Sequence, residues 1–272
     1  MIDSNAKLRS IQMPFCSSSG ENQKTEQCIQ EFQVTNQFKK MMKESLEEQK
    51  KVIDKRVKTL THWSDEAEDE FRRIFGVPSE KIITIKFKLN GEVTKETKSA
   101  RAVIQEAVDR MKFICDKLSA DKGECKEVTF IDKYLDSNDN YYDKDVTKWK
   151  CGNFVNSTDN DAYTANVTPD HIIGVSPDKY VDVVTIRIGQ RFVCKPMTGK
   201  DSKVSSLCHE LTHLVRYGPN GMYGGMQSED MPVDKELQNA KEYDIFADKL
   251  IKNKDMILFE NAYNIERYFE ID

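Results

Sequence analysis

The chain has 272 residues, of which 38% are hydrophobic and 32% are charged, and its net charge is −5. This length and apolar fraction allow one large domain with a continuous core. The 41 basic and 46 acidic residues are well mixed, which excludes the basic footprint of a nucleic-acid-binding protein. No apolar run reaches the roughly 18 residues of a transmembrane helix, so we expect no membrane partner. We also expect a monomer.

The first part of the chain differs in composition from the rest. Residues 1–30 contain a Ser-Ser-Ser-Gly run, several Asn and Gln residues and few aromatics, which is typical of a flexible polar tail. They also lack the charged start and apolar segment of a Sec signal. We therefore expect a tail at residues 1–30 and one domain at residues 31–272.

The first half of the domain contains two helical patterns around one hairpin signal. From about Phe32 to Phe75, apolar residues recur at three- and four-residue steps, which predicts helix, and Gly76-Val77-Pro78 ends it. Residues 82–89 alternate and precede Asn90-Gly91, which indicates a strand that enters a tight hairpin. The apolar spacing over residues 99–118 predicts an amphipathic helix.

The second half begins with loops and ends with helices. Residues 132–180 are rich in Asp, Asn, Tyr and Lys and are expected to form loops with short strands. A β-branched, alternating pattern predicts a strand from Tyr180 to Phe192. We expect a helix from near Ser202 to Gly218, followed by helices at residues 234–252 and 255–269. The fold class is therefore α+β, dominated by helices with a small sheet.

The predicted helix after Ser202 contains an H-E-x-x-H motif, His209-Glu210-Leu211-Thr212-His213. Residues four apart lie on one face of a helix, so both imidazoles can bind one Zn²⁺ ion. Glu210 lies between them and is suited to accept a proton from the attacking water. Only four histidines occur in the chain, and two of them fall in this pattern. The motif predicts zinc-dependent hydrolysis. The alternative is that the motif occurs by chance and that both histidines are ordinary helix residues without a metal.

Three further segments carry a resemblance to a known family. The run Thr198 to Ser202 resembles the T-G-x-D-S loop of the aspzincin metallopeptidases, which include deuterolysin and the peptidyl-lysine metalloendopeptidases. In that family a strand with an aromatic end, here Phe192, leads into this loop. Arg73 to Gly76 is similar to the family's W-F-G, and Asn261 to Phe269 to its N-A-D-N-Y-E-Y-F helix. The resemblance implies a zincin-like metallopeptidase domain with zinc as its cofactor.

The resemblance also implies a third zinc ligand, an aspartate within a G-T-x-D-x-x-Y-G segment after the second histidine. No intact copy of that segment occurs here. Ser228-Glu229-Asp230 matches T-x-D after two glycines, so Asp230 is the expected ligand, beside His209 and His213. The alternatives are Asp234, Glu236 and Glu242.

In the family a tyrosine hydroxyl stabilises the oxyanion. Its best match here is Tyr243, which precedes Asp244, and Tyr223 is the alternative because it precedes Gly224. Lysine-specific members carry a carboxylate that holds the substrate lysine, and that position is Tyr263 in this chain. We therefore expect cleavage that is not dominated by lysine, although Glu266 matches a later acidic position.

The seven cysteines include no C-x-x-C pair, which excludes a zinc ribbon or a thioredoxin-like motif. We expect mostly reduced, buried cysteines, with Cys208 in the core, while a bridge from Cys125 to Cys151 stays open as an alternative.

These observations predict a zinc endopeptidase that hydrolyses protein or peptide substrates, with Glu210 and Tyr243 as catalytic residues. The alternatives are a catalytically inactive binding module with the same fold, favoured by the incomplete aspartate motif, and a structural zinc site. Family members are commonly exported, so the missing Sec signal suggests a bacterial effector secreted by a dedicated machine, and otherwise a cytoplasmic protein.

Overall fold

The computed structural model describes residues 36–89, 92–118, 129–132, 153–156, 165–167, 185–188, 190–216, 219–232 and 240–272. The expected tail, residues 1–30, therefore lies outside the described residues, as do Cys125 and Cys151. Cys115 and Cys208 are buried free thiols, as expected, whereas Cys194 is disulfide-bonded. No helix in the described ranges is long and apolar enough to cross a membrane.

The described chain begins with two helices where the sequence pattern predicted continuous helix. Helix α1 spans Asn36–Thr61 and helix α2 spans Asp65–Phe75. The side chain of Ser64 accepts a hydrogen bond from the Ala67 amide, and this N-cap starts α2 as a separate helix. Gly76 ends α2 at φ 69°, in the left-handed conformation that favours glycine, as predicted.

The predicted hairpin and the helix after it are confirmed. Strands β1 (Ile82–Leu89) and β2 (Glu92–Ser99) are antiparallel, and Leu89 pairs with Glu92 across a two-residue connection. Alternate side chains of β1 are buried, so one face of the hairpin packs on the core. Helix α3 (Ala100–Leu118) follows β2 directly.

A second sheet contains four short strands: β3 (Thr129–Asp132), β4 (Asn153–Asn156), β5 (Ala165–Val167) and β6 (Thr185–Ile188). Their order in the sheet is β3-β4-β6-β5. β4 pairs in parallel with β3 and β6, whereas β5 is the antiparallel edge. The predicted strand to Phe192 is wrong at its end. The β-branched run stops at Ile188, and Phe192 is buried within helix α4 (Gln190–Cys194).

Helix α5 (Lys203–His213) carries the H-E-x-x-H motif and begins where the sequence predicted. Ser202 is its N-cap, and the side chains of Ser202 and Ser205 exchange hydrogen bonds with each other's backbone amides in a capping box. The predicted end at Gly218 is wrong. The helix ends at His213 because Leu214 is extended, with φ −59° and ψ 133°, and a returning segment binds the last carbonyls.

The C-terminal region contains more breaks than the pattern predicted. Helix α6 spans Ala240–Asn253, and the residues before it, 233–239, lie outside the described part. The predicted helix at residues 255–269 is instead a 3₁₀ turn (Met256–Phe259), helix α7 (Ala262–Glu266) and a second 3₁₀ turn (Arg267–Phe269). The side chain of Asp255 accepts from the Ile257 amide and caps the first 3₁₀ turn, and Asn261 is extended before α7, with φ −98° and ψ 120°.

The core lies between α1, α3, α5 and the C-terminal turns. Phe75 is fully buried, with its ring 4.6 Å from that of Phe71 and 5.2 Å from that of Phe259. Helix α5 contacts both α1 and α7, so the motif helix is enclosed on two sides. The fold is therefore α+β and mostly helical, as predicted.

Candidate metal centre

The last turns of α5 bring the three motif residues together. His209 and Glu210 are buried, and one potential ligand atom from each of His209, Glu210 and His213 lies within 4.8 Å of the others. The two imidazole rings lie 4.8 Å apart between centroids, at 77° to each other. Helical spacing produces this convergence, since positions four apart are stacked one turn above another.

Each imidazole is held through its Nδ1 atom by an acceptor. The Nδ1 of His209 lies 2.9 Å from Oε2 of Glu266, and the Nδ1 of His213 lies 2.8 Å from the carbonyl oxygen of Ser228. Because both partners are acceptors, Nδ1 carries the proton on each ring. The Nε2 atoms lie on the side of the centre, where that of His209 donates to Oδ1 of Asp230 and would give up this proton to bind a metal ion.

Asp230 completes the cluster from a separate segment. Its Oδ1 atom lies 3.1 Å from Nε2 of His209 and 3.6 Å from Nε2 of His213. Donors about 2.0 to 2.2 Å from a tetrahedral zinc ion lie about 3.3 to 3.6 Å from one another. The separation from His213 falls in this range and that from His209 is slightly shorter, so two imidazole nitrogens and one carboxylate oxygen form a donor set that fits zinc.

The segment before Asp230 reaches the centre by binding the end of α5. The amide of Gly225 donates to Leu214 O at 2.9 Å, and the amide of Met226 donates to Thr212 O, also at 2.9 Å. A Cβ atom at position 225 would lie 2.0 Å from the carbonyl oxygen of Leu211. Glycine is therefore required here, because the two backbones approach too closely for any side chain.

Ser228 links this segment to α5 through three groups. Its carbonyl accepts from His213, its amide donates to Thr212 O at 3.2 Å, and its hydroxyl donates to Thr212 Oγ1 at 2.6 Å. The Thr212 hydroxyl in turn donates to the carbonyl of His209 at 2.6 Å. On the other side, the amide of Glu229 donates to Glu260 O at 2.8 Å. Asp230 follows directly and is positioned by these contacts.

Glu266 connects the centre to the start of α5. Its side chain is buried, and its Oε1 atom accepts from the Ser205 hydroxyl at 2.9 Å while Oε2 faces His209. One carboxylate thus ties α7 to the first turn of α5 and to its first metal-facing histidine. A carboxylate behind a ligand histidine fixes the ring orientation and raises the basicity of the ligand nitrogen.

The electrostatics of the centre favour one bound cation. Burial opposes protonation of His209, but hydrogen bonds to Asp230 and Glu266 raise its pKa well above the usual range. Burial likewise opposes ionisation of both carboxyls, yet the hydrogen bond to His209 holds the pKa of each below its usual value. Burial and the neighbouring charge of His209 lower the pKa of His213. A single proton thus takes the position that a metal cation would fill.

Two tyrosines form a stack beside the centre. The ring of Tyr263 lies 4.9 Å from that of His209, at 82°, and the ring of Tyr243 stacks on Tyr263 at 4.8 Å and 8°. Burial and then the charge of Asp230 raise the pKa of Tyr263, so its hydroxyl stays protonated. Tyr223 instead packs on Phe113 of α3, with 4.7 Å between ring centroids.

The structure therefore brings His209, Glu210, His213 and Asp230 together, and it places Tyr243 one ring farther out. Glu242 lies in the first turn of α6, while Asp234 and Glu236 lie outside the described residues. Sequence reasoning missed the contacts of Glu266 and Tyr263 with His209, and the role of Ser228. No spacing signal could have found them, since Glu266 is 57 positions from its partner.

No protein-family model and no curated protein sequence matches the chain. A zinc peptidase from Grifola frondosa is among the solved structures that resemble it, at 13% identity and a TM-score of 0.46, over 87% of this chain and 96% of that one. A likeness this weak does not establish a shared fold or activity, so function must be inferred from the geometry of the centre.

Proposed function

We propose that the protein is a zinc-dependent endopeptidase that hydrolyses peptide bonds in protein substrates. The observation that carries this proposal is the position of Asp230, whose carboxylate oxygen lies 3.1 Å and 3.6 Å from the Nε2 atoms of the two motif histidines. His209, His213 and Asp230 would hold the ion, and three protein ligands are the usual set of a catalytic zinc site.

The residues around the ion have separate tasks in this reaction. Zinc, when bound, acts as a Lewis acid that polarises a carbonyl and makes water more acidic. Glu210 accepts the proton of the attacking water and delivers it to the leaving amine. Its carboxylate lies within the same 4.8 Å cluster as the histidine nitrogens, close enough for this transfer. Glu266 and the Ser228 carbonyl keep both rings in the required tautomer.

A hydroxyl donor for the developing oxyanion comes from the tyrosine stack. The sequence favours Tyr243 as this donor. The ring of Tyr263 lies between the ring of Tyr243 and His209. Preorganised donors of this kind contribute about 3 to 4 kcal/mol to transition-state stabilisation. Tyr243→Phe and Tyr263→Phe each remove one hydroxyl, so the variant with the lower kcat identifies the donor.

The alternative of an inactive binding module depended on the incomplete aspartate motif. The position of Asp230 beside both histidines favours catalysis, as does the buried Glu210, because a protein that only binds has no use for a general base at this position.

Casein cleavage by the zinc-loaded protein tests the proposal. We expect hydrolysis that a chelator abolishes and that added zinc restores. Glu210→Gln should retain zinc but lose about 100-fold or more of kcat, because an amide cannot accept the proton. Glu229→Gln, a change of the same type at an exposed position near the centre, should retain activity. Near-normal turnover in Glu210→Gln would exclude the proposed mechanism.

A further inference from the structure

The stacked rings of Tyr243 and Tyr263 form an aromatic surface next to the metal centre. Both side chains are half-buried, and their ring planes differ by only 8°. Tyr263 lies three residues before Glu266, so one face of α7 presents both the tyrosine ring and the carboxylate that holds His209. A peptide bond held at the centre would therefore lie near this aromatic surface, because the ring of Tyr263 contacts His209.

Within the described part of the chain, the carboxylates around this surface already have partners. Three of them act on Tyr263 through their charge: Asp230, Glu266 and Asp244. Asp230 faces the two histidines, and Glu266 is bound by His209 and Ser205. Oδ1 of Asp244 lies 3.5 Å from Nη2 of Arg267. A basic substrate side chain at this surface would compete with existing partners for each carboxylate.

We infer that Tyr243 and Tyr263 are specificity-determining residues, which select a substrate with an uncharged aromatic or large aliphatic side chain next to the scissile bond. This inference rests on the proposed peptidase function. An aromatic side chain stacks in an offset or edge-on arrangement on such rings, and an aliphatic one buries apolar area against them. A lysine or aspartate side chain would lose water there, and the carboxylates of the described residues around the rings already have partners.

Quenched peptides that differ in a single residue beside the cleaved bond provide the test, with cut sites located by mass spectrometry. We expect kcat/KM for phenylalanine or leucine to exceed that for lysine or aspartate by about 10- to 100-fold, the discrimination that burial of one large apolar side chain supplies. The ratio between two peptides is the readout, because a general loss of activity cancels from it.

Matched variants assign the preference to the rings. Tyr263→Phe keeps the ring and should keep the ratio even if kcat falls, whereas Tyr263→Ala should reduce the ratio about tenfold or more. Tyr263→Asp should shift the preference toward lysine. If Tyr263→Ala does not fold or does not hold zinc, Tyr243→Ala and Tyr243→Phe form the same comparison one ring farther from His209.

The outcomes separate this inference from the proposed function. Chelator-sensitive casein cleavage with a preference for lysine, or with no preference, would overturn the inference and leave the peptidase proposal intact. An unchanged kcat/KM ratio in both Tyr263→Ala and Tyr243→Ala would also overturn the inference and leave the peptidase proposal intact. No hydrolysis of any substrate by the zinc-loaded protein would overturn both.

Discussion

At the scale of single residues, the two histidines differ in the group that holds Nδ1. His209 faces the buried carboxylate of Glu266, and His213 faces a backbone carbonyl. A negative partner stabilises the electron-donating ring more than a neutral one, so His209 should be the stronger ligand. The centre is therefore asymmetric, although its motif looks symmetric in sequence.

Glu266→Gln tests this asymmetry. We expect zinc affinity to fall about 10- to 100-fold, because the amide removes the charge and can present an N–H to Nδ1. Competition against a chromophoric chelator measures the change, with Glu229→Gln as the exposed control. An unaltered affinity would show that Glu266 has a purely structural role.

Asp230→Ala addresses the third ligand directly. Zinc affinity should fall by more than the roughly 100-fold upper value for an outer partner, since a ligand oxygen is lost. Folding should change little, because the side chain is 38% exposed. Glu242→Ala, in the first turn of α6, should bind zinc as the wild type does. Normal zinc binding by Asp230→Ala together with weakened binding by Glu242→Ala would identify Glu242 as the third ligand instead.

At the scale of elements, the centre depends on how α5 ends. A local pattern extends this helix to Gly218, but the amides of the segment at residues 225–228 take its last carbonyls, and it ends at His213. This ending brings Asp230 back to the histidines. Arg110 of α3 supports the returning segment, since its Nε atom donates to Gly225 O at 2.9 Å.

Gly225→Ala should disrupt this ending. The new Cβ would meet Leu211 O at 2.0 Å and Thr212 O at 2.9 Å, and both are backbone atoms that cannot move aside alone. We expect a loss of about 3 kcal/mol or more in unfolding free energy, together with weaker zinc binding. Denaturant titration measures the loss. Met222→Ala, three residues earlier at a side chain that is 58% exposed, should be nearly neutral.

The parts of this structure that sequence predicted are those set within a few turns of chain. Helix α3, the hairpin and the grouping of His209, Glu210 and His213 all follow from short spacings. Asp230 needed a family resemblance, because it follows His213 by 17 positions and no periodic spacing relates the two residues. The partners of the imidazoles depend on tertiary contacts, for which a single sequence contains no periodic signal.

At the scale of the whole molecule, Arg56 ties three parts of the chain together. It is 2% exposed on α1, and its guanidinium forms two bonds to Glu70 of α2, at 2.8 and 2.9 Å. Its Nε atom donates to the carbonyl of Tyr268, near the C terminus. The end of the chain, which includes α7 and Glu266, is thereby fixed to the first two helices.

Glu70→Gln should destabilise the protein by about 2 kcal/mol near neutral pH, because it leaves a buried guanidinium without its charged partner. The hydrogen bond to Arg56 holds the pKa of Glu70 below its usual 4.5, although burial opposes this. The ion pair therefore stabilises the wild type at pH values above the usual pKa of Glu70. This stabilisation is lost as the pH falls through the lowered pKa of Glu70 in the folded protein.

Denaturation of both proteins from about pH 7 to about pH 2 measures this linkage. The gap between them should be widest near neutrality and should close in acid, where Glu70 becomes neutral. Glu80→Gln is the control, because Glu80 pairs with Arg101 while 69% exposed, and such surface pairs contribute little. A gap that does not depend on pH would assign the effect to packing.

Helix α5 also has a macrodipole. Its peptide dipoles add along the axis, so the end at His213 carries the negative pole and the end at Ser202 the positive one. The metal-facing nitrogens lie in the last turns, where this polarity favours a bound cation by about 0.3 to 1 kcal/mol. The same two imidazoles in the first turn would meet the opposite pole. The helix dipole therefore disfavours an anion by about 0.3 to 1 kcal/mol at the position where it favours zinc.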